Sequence, residues 1–221
     1  MNEISLNMDR TLRCVIDTTD MAWEASPAAG VWRKKLEREA AESGDVTSVV
    51  RYDAKTSFPE HGHPGGEEIL VLEGVFEDEH GAYPAGSYLR NPIGFRHAPK
   101  STQGCTILVK LNMFSVDDTV CVNIDTHNTP WLPGTVDGLS VMLLHIHNTE
   151  NTALVRWQPG TVFNHHTHPG GEEIYVVDGV FADEHGRYPK GTWLRNPSYS
   201  THKPFSDEGC TILVKVGHLD P

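Results

Sequence analysis

His61-Gly62-His63-Pro64-Gly65-Gly66-Glu67-Glu68 and His166-Thr167-His168-Pro169-Gly170-Gly171-Glu172-Glu173 are one motif written twice, 105 residues apart. Each copy is followed, thirty residues after its first Glu, by a further histidine, His97 and His202. From Phe58 to Lys110 against Phe163 to Lys215, 34 of 53 positions are identical without a gap. Three imidazoles and one carboxylate form a donor set suited to a divalent cation. The expectation is two metal sites per chain: His61, His63, Glu67 and His97 in one, and His166, His168, Glu172 and His202 in the other. Four ligand-type residues repeated at identical spacing weigh against ordinary surface histidines; occupancy of only one copy is the milder alternative.

The spacing carries geometry. Residues i and i+2 of a strand point to the same face, so His61 aims with His63, and His166 with His168. Pro64-Gly65-Gly66 and Pro169-Gly170-Gly171 read as tight turns that return the chain and set Glu67 and Glu172 beside the imidazoles. Glu68 and Glu173 follow directly, should face the other way, and are the second choice of carboxylate.

The repeat reaches beyond the motif. Ile16-Asp17-Thr18 with Trp23 matches Ile124-Asp125-Thr126 with Trp131. The chain of 221 residues therefore divides into two units, 1–113 and 114–221, each long enough for its own core. Net charge is −12 with no Lys/Arg-rich run, which speaks against nucleic-acid binding through phosphates. No apolar run approaches the length of a membrane span. The N-terminus lacks the layout of a secretory signal, and the four cysteines are scattered without a CxxC. Together these lead to the expectation of a cytoplasmic protein.

Val49–Tyr52, Ile69–Leu72, Ser87–Arg90 and Thr106–Val109 are short β-prone runs bounded by Gly, Pro and Asp or Asn. Their spacing suits an all-β sandwich or barrel. Arg33–Glu42 (RKKLEREAAE) conflicts, because its propensity is helical. Its counterpart Ser140–His147 (SVMLLHIH) is β-prone and more apolar, and duplicated units share topology, so both are expected to be strands. His145-x-His147 has the spacing of a ligand pair but no following Glu, and reads as a strand face. His80 and His185 fall in the repeated Asp-Glu-His-Gly turns and read as solvated. Cys105 and Cys210 read as small core residues, a redox role being the alternative. Arg90 with Arg195, and Arg51 with Arg156, read equally as partners of the ligands, anion handles or an outer strand face.

The two copies resemble the cupin superfamily. Its first motif, G-x5-H-x-H-x3,4-E-x6-G, is matched by His61, His63, Glu67 and Gly74, and by Gly160, His166, His168, Glu172 and Gly179. Lys55 replaces the opening Gly of the first copy. The second motif, G-x5-P-x-G-x2-H-x3-N, is matched by Gly86, Pro92, Gly94 and His97, and by Gly191, Pro197 and His202. Tyr199 replaces Gly in the second copy, and Ser101 and Ser206 replace the closing Asn. Within that superfamily, HPGGEEILVLEGVFEDEHGAYPAGSYLRNP and HPGGEEIYVVDGVFADEHGRYPKGTWLRNP are similar to the ChrR-type cupin, the zinc-binding C-terminal domain of an anti-sigma factor of the singlet-oxygen response. The resemblance implies two double-stranded β-helix (jelly-roll) cupin domains in tandem, a bicupin.

It further implies a divalent-metal-binding sensor or ligand-binding regulatory protein of oxidative-stress type, with a sigma factor as the partner implied by likeness alone. The His-x3-Cys-x2-Cys zinc motif that inhibits the sigma factor is absent from this sequence. The alternative is a non-haem metal-dependent dioxygenase cleaving a small ketone or diketone; a purely structural zinc protein is the third reading. Zinc is the first choice of metal, with iron, nickel and manganese as alternatives. Three His and one Glu close a tetrahedral zinc shell, whereas the same donors on octahedral iron leave two positions open. No separate general base or nucleophile stands out. A small-molecule ligand and a homodimer complete the expectations.

Overall fold

The backbone of a period-2 sequence that buries one or both faces must pair its amides laterally, and here it does so almost throughout. The computed structural model describes residues 5–219. Among them all regular structure is strand apart from one 3-10 turn, Thr18–Asp20, in line with the all-β expectation.

Two compact units result: Met1–Met8 with Met21–Asn128, and Asp9–Asp20 with Thr129–Pro221. In the first, seven strands pair antiparallel in the spatial order Val122–Asp125, Ser87–Asn91, Glu67–Glu77, Cys105–Leu111, Val46–Tyr52, Val31–Arg38, Glu24–Ala25. In the second the order is Cys14–Asp17, Thr192–Asn196, Glu172–Asp183, Cys210–Val216, Glu150–Trp157, Leu139–His147, Leu132–Pro133. A two-stranded ribbon accompanies each sheet, Arg96–His97 on His61–Gly62 and His166–His168 on Ser200–His202.

The sequence repeats 1–113 and 114–221 and the compact units differ by one segment each. Ile16 pairs with Trp193 and Ile124 with Tyr88, so each unit takes its edge strand from the other repeat. Thr18 Oγ1 donates to Gly191 O at 2.7 Å and Thr126 Oγ1 to Gly86 O at 2.6 Å. The repeated Ile-Asp-Thr thus caps the same edge in both units, satisfying backbone groups that an open edge would leave bare.

Apolar alternation builds the cores. Val31, Val50, Ile69, Val71, Phe76 and Ile107 bury together in the first unit; Leu139, Ile174, Val176, Phe181, Leu194 and Ile212 do so in the second. Each such side chain contributes about 1.5–3 kcal/mol by leaving water. Arg33–Glu42 divides: Val31–Arg38 is strand, as expected from the repeat, and 39–45 is an irregular turn. Helical propensity loses because this strand is paired on both sides and bulged so that Leu36 is wholly buried. Its charges find partners locally, Lys34 over the Trp23 ring at 4.4 Å and Lys35 on Glu24 at 3.0 Å.

The two departures from the glycine pattern are visible in the backbone. Lys55 has φ +62° where Gly160 has +79°, and Tyr199 has φ +61° where Gly94 has +85°. The turn conformation is kept although the residue is not glycine. Tyr199 N donates to His168 O at 2.9 Å, as Gly94 N does to His63 O, so the strained turn anchors the histidine strand.

Two outcomes are expected. Tyr199→Gly should stabilise the fold in a thermal melt by about 0.5–1 kcal/mol, the relief of a left-handed residue less the added chain entropy; a loss of stability would show that the tyrosine side chain carries the turn. Deleting residues 1–20 should lower hydrogen-exchange protection at those amides of Thr192–Asn196 that face Cys14–Asp17 and leave Ser87–Asn91 protected. The reverse result would contradict the assignment of the edge strands.

Candidate metal centre

Each centre is assembled by one cross-strand pairing. His97 lies directly opposite His61, and His202 opposite His166; such neighbours have Cβ atoms only about 4.5–5.5 Å apart. The tight turn then returns the chain so that Glu67 and Glu172 open long buried strands. Candidate ligand atoms of His61, His63 and His97 lie within 4.8 Å of one another, as do those of His166, His168 and His202.

The distances are tighter among the Nε2 atoms. His63 Nε2 and His97 Nε2 are 2.9 Å apart, and Glu67 Oε2 lies 3.6 and 3.4 Å from them. In the second unit His168 Nε2 and His202 Nε2 are 3.0 Å apart, with Glu172 oxygens at 3.4 and 3.5 Å. Donors held about 2.0–2.2 Å from one ion are separated by roughly 3.0 Å across an octahedral edge and 3.4 Å across a tetrahedral one, so the observed spacing fits a single divalent ion. The triads could hold a metal.

The remaining ring nitrogens are turned away and tied down. His61 Nδ1 meets Pro59 O at 3.0 Å and His166 Nδ1 meets Asn164 O at 2.8 Å. A carbonyl only accepts, so Nδ1 carries the proton and the Nε2 lone pair faces the centre. His97 Nδ1 meets Asp78 Oδ2 at 3.2 Å, and His202 Nδ1 stands 3.6 Å from Asp183 Oδ2. Asn91 donates to Glu67 at 3.0 Å and Asn196 to Glu172 at 2.9 Å. Such supports orient the donors and raise their basicity.

Asp78, Asp183, Asn91 and Asn196 were not singled out from the sequence. The signal lay in the repeated Asp-Glu-His-Gly and Arg-Asn-Pro strings, where attention falls on His80 and His185. The aspartates are the buried members, and their Oδ1 atoms also accept the amides of His80 and Gly81, or His185 and Gly186. Arg13, Asp183 and Tyr188 form a further cluster in the second unit.

Electrostatics separates the histidines. Burial pushes His63 down, and pushes His168 down to about 3, because a desolvated imidazolium is disfavoured. Burial also opposes the charge on His97 and His202, but the Asp78 and Asp183 carboxylates beside them, together with Glu67 and Glu172, win and hold both rings up. Asp183 is driven to about 2 because the neighbouring His202 ring, the hydrogen bonds of Tyr188 and the His185 amide, and the Arg13 guanidinium outweigh its burial. Burial raises Glu172.

Glu68 and Glu173 face the opposite side of the sheet, as alternation requires. Glu68 accepts from Tyr88 at 3.0 Å and Arg90 at 3.1 Å; Glu173 accepts from Trp193 at 2.7 Å and lies 3.2 Å from His218 Nε2. Arg90 is 1% exposed, bound also to Asp118 and stacked on Phe114. It is therefore a buried structural cation away from the triad. Arg156 stacks on Trp131 and Arg51 on Trp23. Cys105 and Cys210 are buried thiols pushed up to about 11 by desolvation, which suits core packing and disfavours the thiolate a redox role needs. His145 and His147 lie on a strand outside the triad.

A cavity opens on each triad. The first, about 160 Å³, is bounded by His61, His63 and Glu67 with Tyr52, Phe58 and Arg33 among its walls. The second, about 360 Å³, is bounded by His166, His168, Glu172 and His202, with Val141, Trp157 and Phe163 among apolar walls.

Comparison with known proteins agrees with this architecture. The family described as "ChrR Cupin-like domain" matches residues 11–115 and again 120–220. No curated protein matches the sequence. Among solved structures, a candidate dioxygenase from Nostoc punctiforme superposes with a TM-score of 0.78 at 20% identity, over 93% of this chain and 82% of that one. YlbA from E. coli gives 0.73 at 17% identity, over 96% and 94%. Bacillus subtilis oxalate decarboxylase, described for its Mn(II) centres, gives 0.65 at 15% identity, over 94% and 78%. At these identities the likeness shows the shared fold.

The pKa directions give a signed test on metal-free protein. His168 is depressed, so its stability contribution is present above the unfolded value of about 6.5 and lost as pH falls toward its folded value. His168→Asn, which cannot charge, should lose less melting temperature than the wild type between pH 7 and pH 5. His202 is raised, so His202→Asn should forfeit stability present below about pH 6.5 and lose more. Parallel melting profiles for both variants would refute the opposite signs.

Proposed function

The chain belongs to the family of ChrR cupin-like domains, and from that premise we propose that it holds one divalent metal in each unit and binds a small molecule beside it. Its role on this reading is that of a cytoplasmic sensor or ligand-binding regulator of oxidative-stress type. The cavity opening on each histidine triad carries the proposal. Structural zinc sites close their shell with protein donors; a built space against the donors is what a ligand-binding centre requires. Zinc is the metal favoured by the family likeness, with iron, nickel and manganese suited to the same donors.

When bound, the metal supplies Lewis acidity toward an oxygen-bearing small molecule. The chain's own residues do the rest. Glu67 and Glu172 provide the anionic donor, oriented by Asn91 and Asn196. Asp78 and Asp183 hold the rings of His97 and His202. Tyr52, Phe58, Trp157 and Phe163 wall the cavities.

A second reading, a non-haem dioxygenase acting on a small ketone or diketone, is favoured by the larger cavity of the second unit and its apolar walls. Metal analysis of protein purified without added metal separates the two, iron favouring the enzyme and zinc the sensor. A homodimer and, on family likeness, a sigma factor are the partners this reading offers.

Metal content and stability should come apart at adjacent residues. Wild type should retain about two metals per chain, and Glu67→Ala or Glu172→Ala should lower that by one, since metal affinity depends on deprotonated donors. Glu68→Ala should keep both metals yet cost roughly 1–3 kcal/mol, because it orphans the buried donors of Tyr88 and Arg90 while Asp118 still pairs with Arg90. Elemental analysis with thermal melts reads both. Protein that carries well under one metal per chain sinks the proposal; metal lost with Glu68 and not Glu67 places the wrong carboxylate in the centre.

A further inference from the structure

The two triads are near copies, but the walls facing them are not. Arg33 pairs with Val50, and Val141 pairs with Val155; Val50 and Val155 are equivalent in the repeat. Arg33 therefore lines the first cavity where Val141 lines the second; Arg38 also lines the first, its Nη1 already given to Ala41 O. The loop beside it differs too. Between Arg38 and Val46 the first unit has residues 39–45, whereas between His147 and Glu150 the second has only Asn148 and Thr149. The longer loop brings Glu42, Ser43 and Gly44 to the first cavity. Asn112 fastens it, donating to Gly44 O at 2.6 Å while accepting from Gly65 N at 3.1 Å. The equivalent position in the second unit is Gly217, which has no side chain to do so.

Resting on the metal-centre reading above, we infer that the two centres take ligands of different charge: the first selects a small carboxylate, with Arg33 as its counter-ion, and the second a neutral apolar molecule. Arg33 already shows its preference. Its Nη1 contacts both carboxylate oxygens of Glu42, at 2.9 and 3.1 Å. The Glu42 side chain is 55% exposed whereas that of Arg33 is 17% exposed, so the carboxylate lies on the solvent side of the pair and the guanidinium on the protein side. An exposed pair of this kind is weak, and a ligand carboxylate held at the centre can replace Glu42 on the guanidinium. Glu42 thus acts as a tethered competitor that neutralises Arg33 while the cavity is empty. No arginine or lysine lines the second cavity, and setting a ligand carboxylate against Val141, Val155 and Trp157 away from the metal centre is costly.

The test uses the full-length, metal-loaded chain with one centre retained at a time. His166→Ala/His168→Ala keeps the first centre, and His61→Ala/His63→Ala keeps the second. The probes are pyruvate and butane-2,3-dione, nearly isosteric and differing by one negative charge, titrated calorimetrically at fixed ionic strength. The ratio of their affinities cancels whatever preference the metal has for carboxylates. That ratio should favour pyruvate at the first centre over the second by about tenfold or more, as expected of a charge-assisted hydrogen bond. Arg33→Gln should abolish the difference, Arg33→Lys should keep part of it, and Glu42→Gln should strengthen pyruvate binding. Equal ratios at two metal-loaded centres, or a ratio indifferent to Arg33→Gln with Arg33→Lys folded normally, overturn this inference alone. Absence of metal from both single-centre proteins overturns the metal reading and this inference with it.

Discussion

The pairing of His61 with His97, and of His166 with His202, is the constraint on which each centre depends. Two residues thirty-six apart in sequence become cross-strand neighbours, and the backbone hydrogen bonds of a short ribbon set that closeness. His63 and His168 then follow by alternation, and the tight turn adds the carboxylate. Slipping either ribbon by one residue would turn an imidazole to the opposite face and dissolve the donor set. The left-handed turns at Gly94 and Tyr199, bonded to the carbonyls of His63 and His168, hold that register. This gives a reason for the conformation to persist at Tyr199, where a side chain makes it costly.

Period-2 alternation also explains why two adjacent glutamates do unrelated work. Glu67 points into the barrel toward His63 and His97; Glu68 points out to Tyr88 and Arg90. Both are buried, so each must be neutralised where it lies. One meets polar donors gathered for a cation, the other a cation the protein supplies itself. The same economy recurs in the second unit with Glu172 and Glu173, where His218 stands 3.2 Å from Glu173 and Trp193 donates to it.

Duplication preserved the donors and released the walls. The triads, their supporting aspartates and the Asn–Glu contacts are the same in both units to within a few tenths of an ångström. The strand facing them reads VWRKKLER in the first unit and LSVMLLHIH in the second, and the second unit's hairpin is the shorter. The first sequence reads as a helix in isolation, yet it forms a strand because both its edges are paired and its charges are taken up by Glu24, Glu42 and Trp23. Local propensity amounts to tenths of a kcal/mol per residue, which lateral pairing and the burial of Val31 and Leu36 readily exceed.

The sequence by itself determined the duplication, the all-β class, the convergence of three imidazoles with Glu67 or Glu172, and the opposite orientation of Glu68 and Glu173. All of these are written in short-range periodicity or in repetition, which need no knowledge of distant contacts. Only the tertiary structure decided that Asp78 and Asp183 support His97 and His202, that Arg90 is a buried ion-pair partner, and that Cys14–Asp17 and Val122–Asp125 each close the sheet of the other repeat. It also decided that one cavity carries Arg33 where the other carries Val141. Those facts depend on which strands lie side by side, and side-by-side pairing is fixed by backbone hydrogen bonds and burial between segments far apart in the chain.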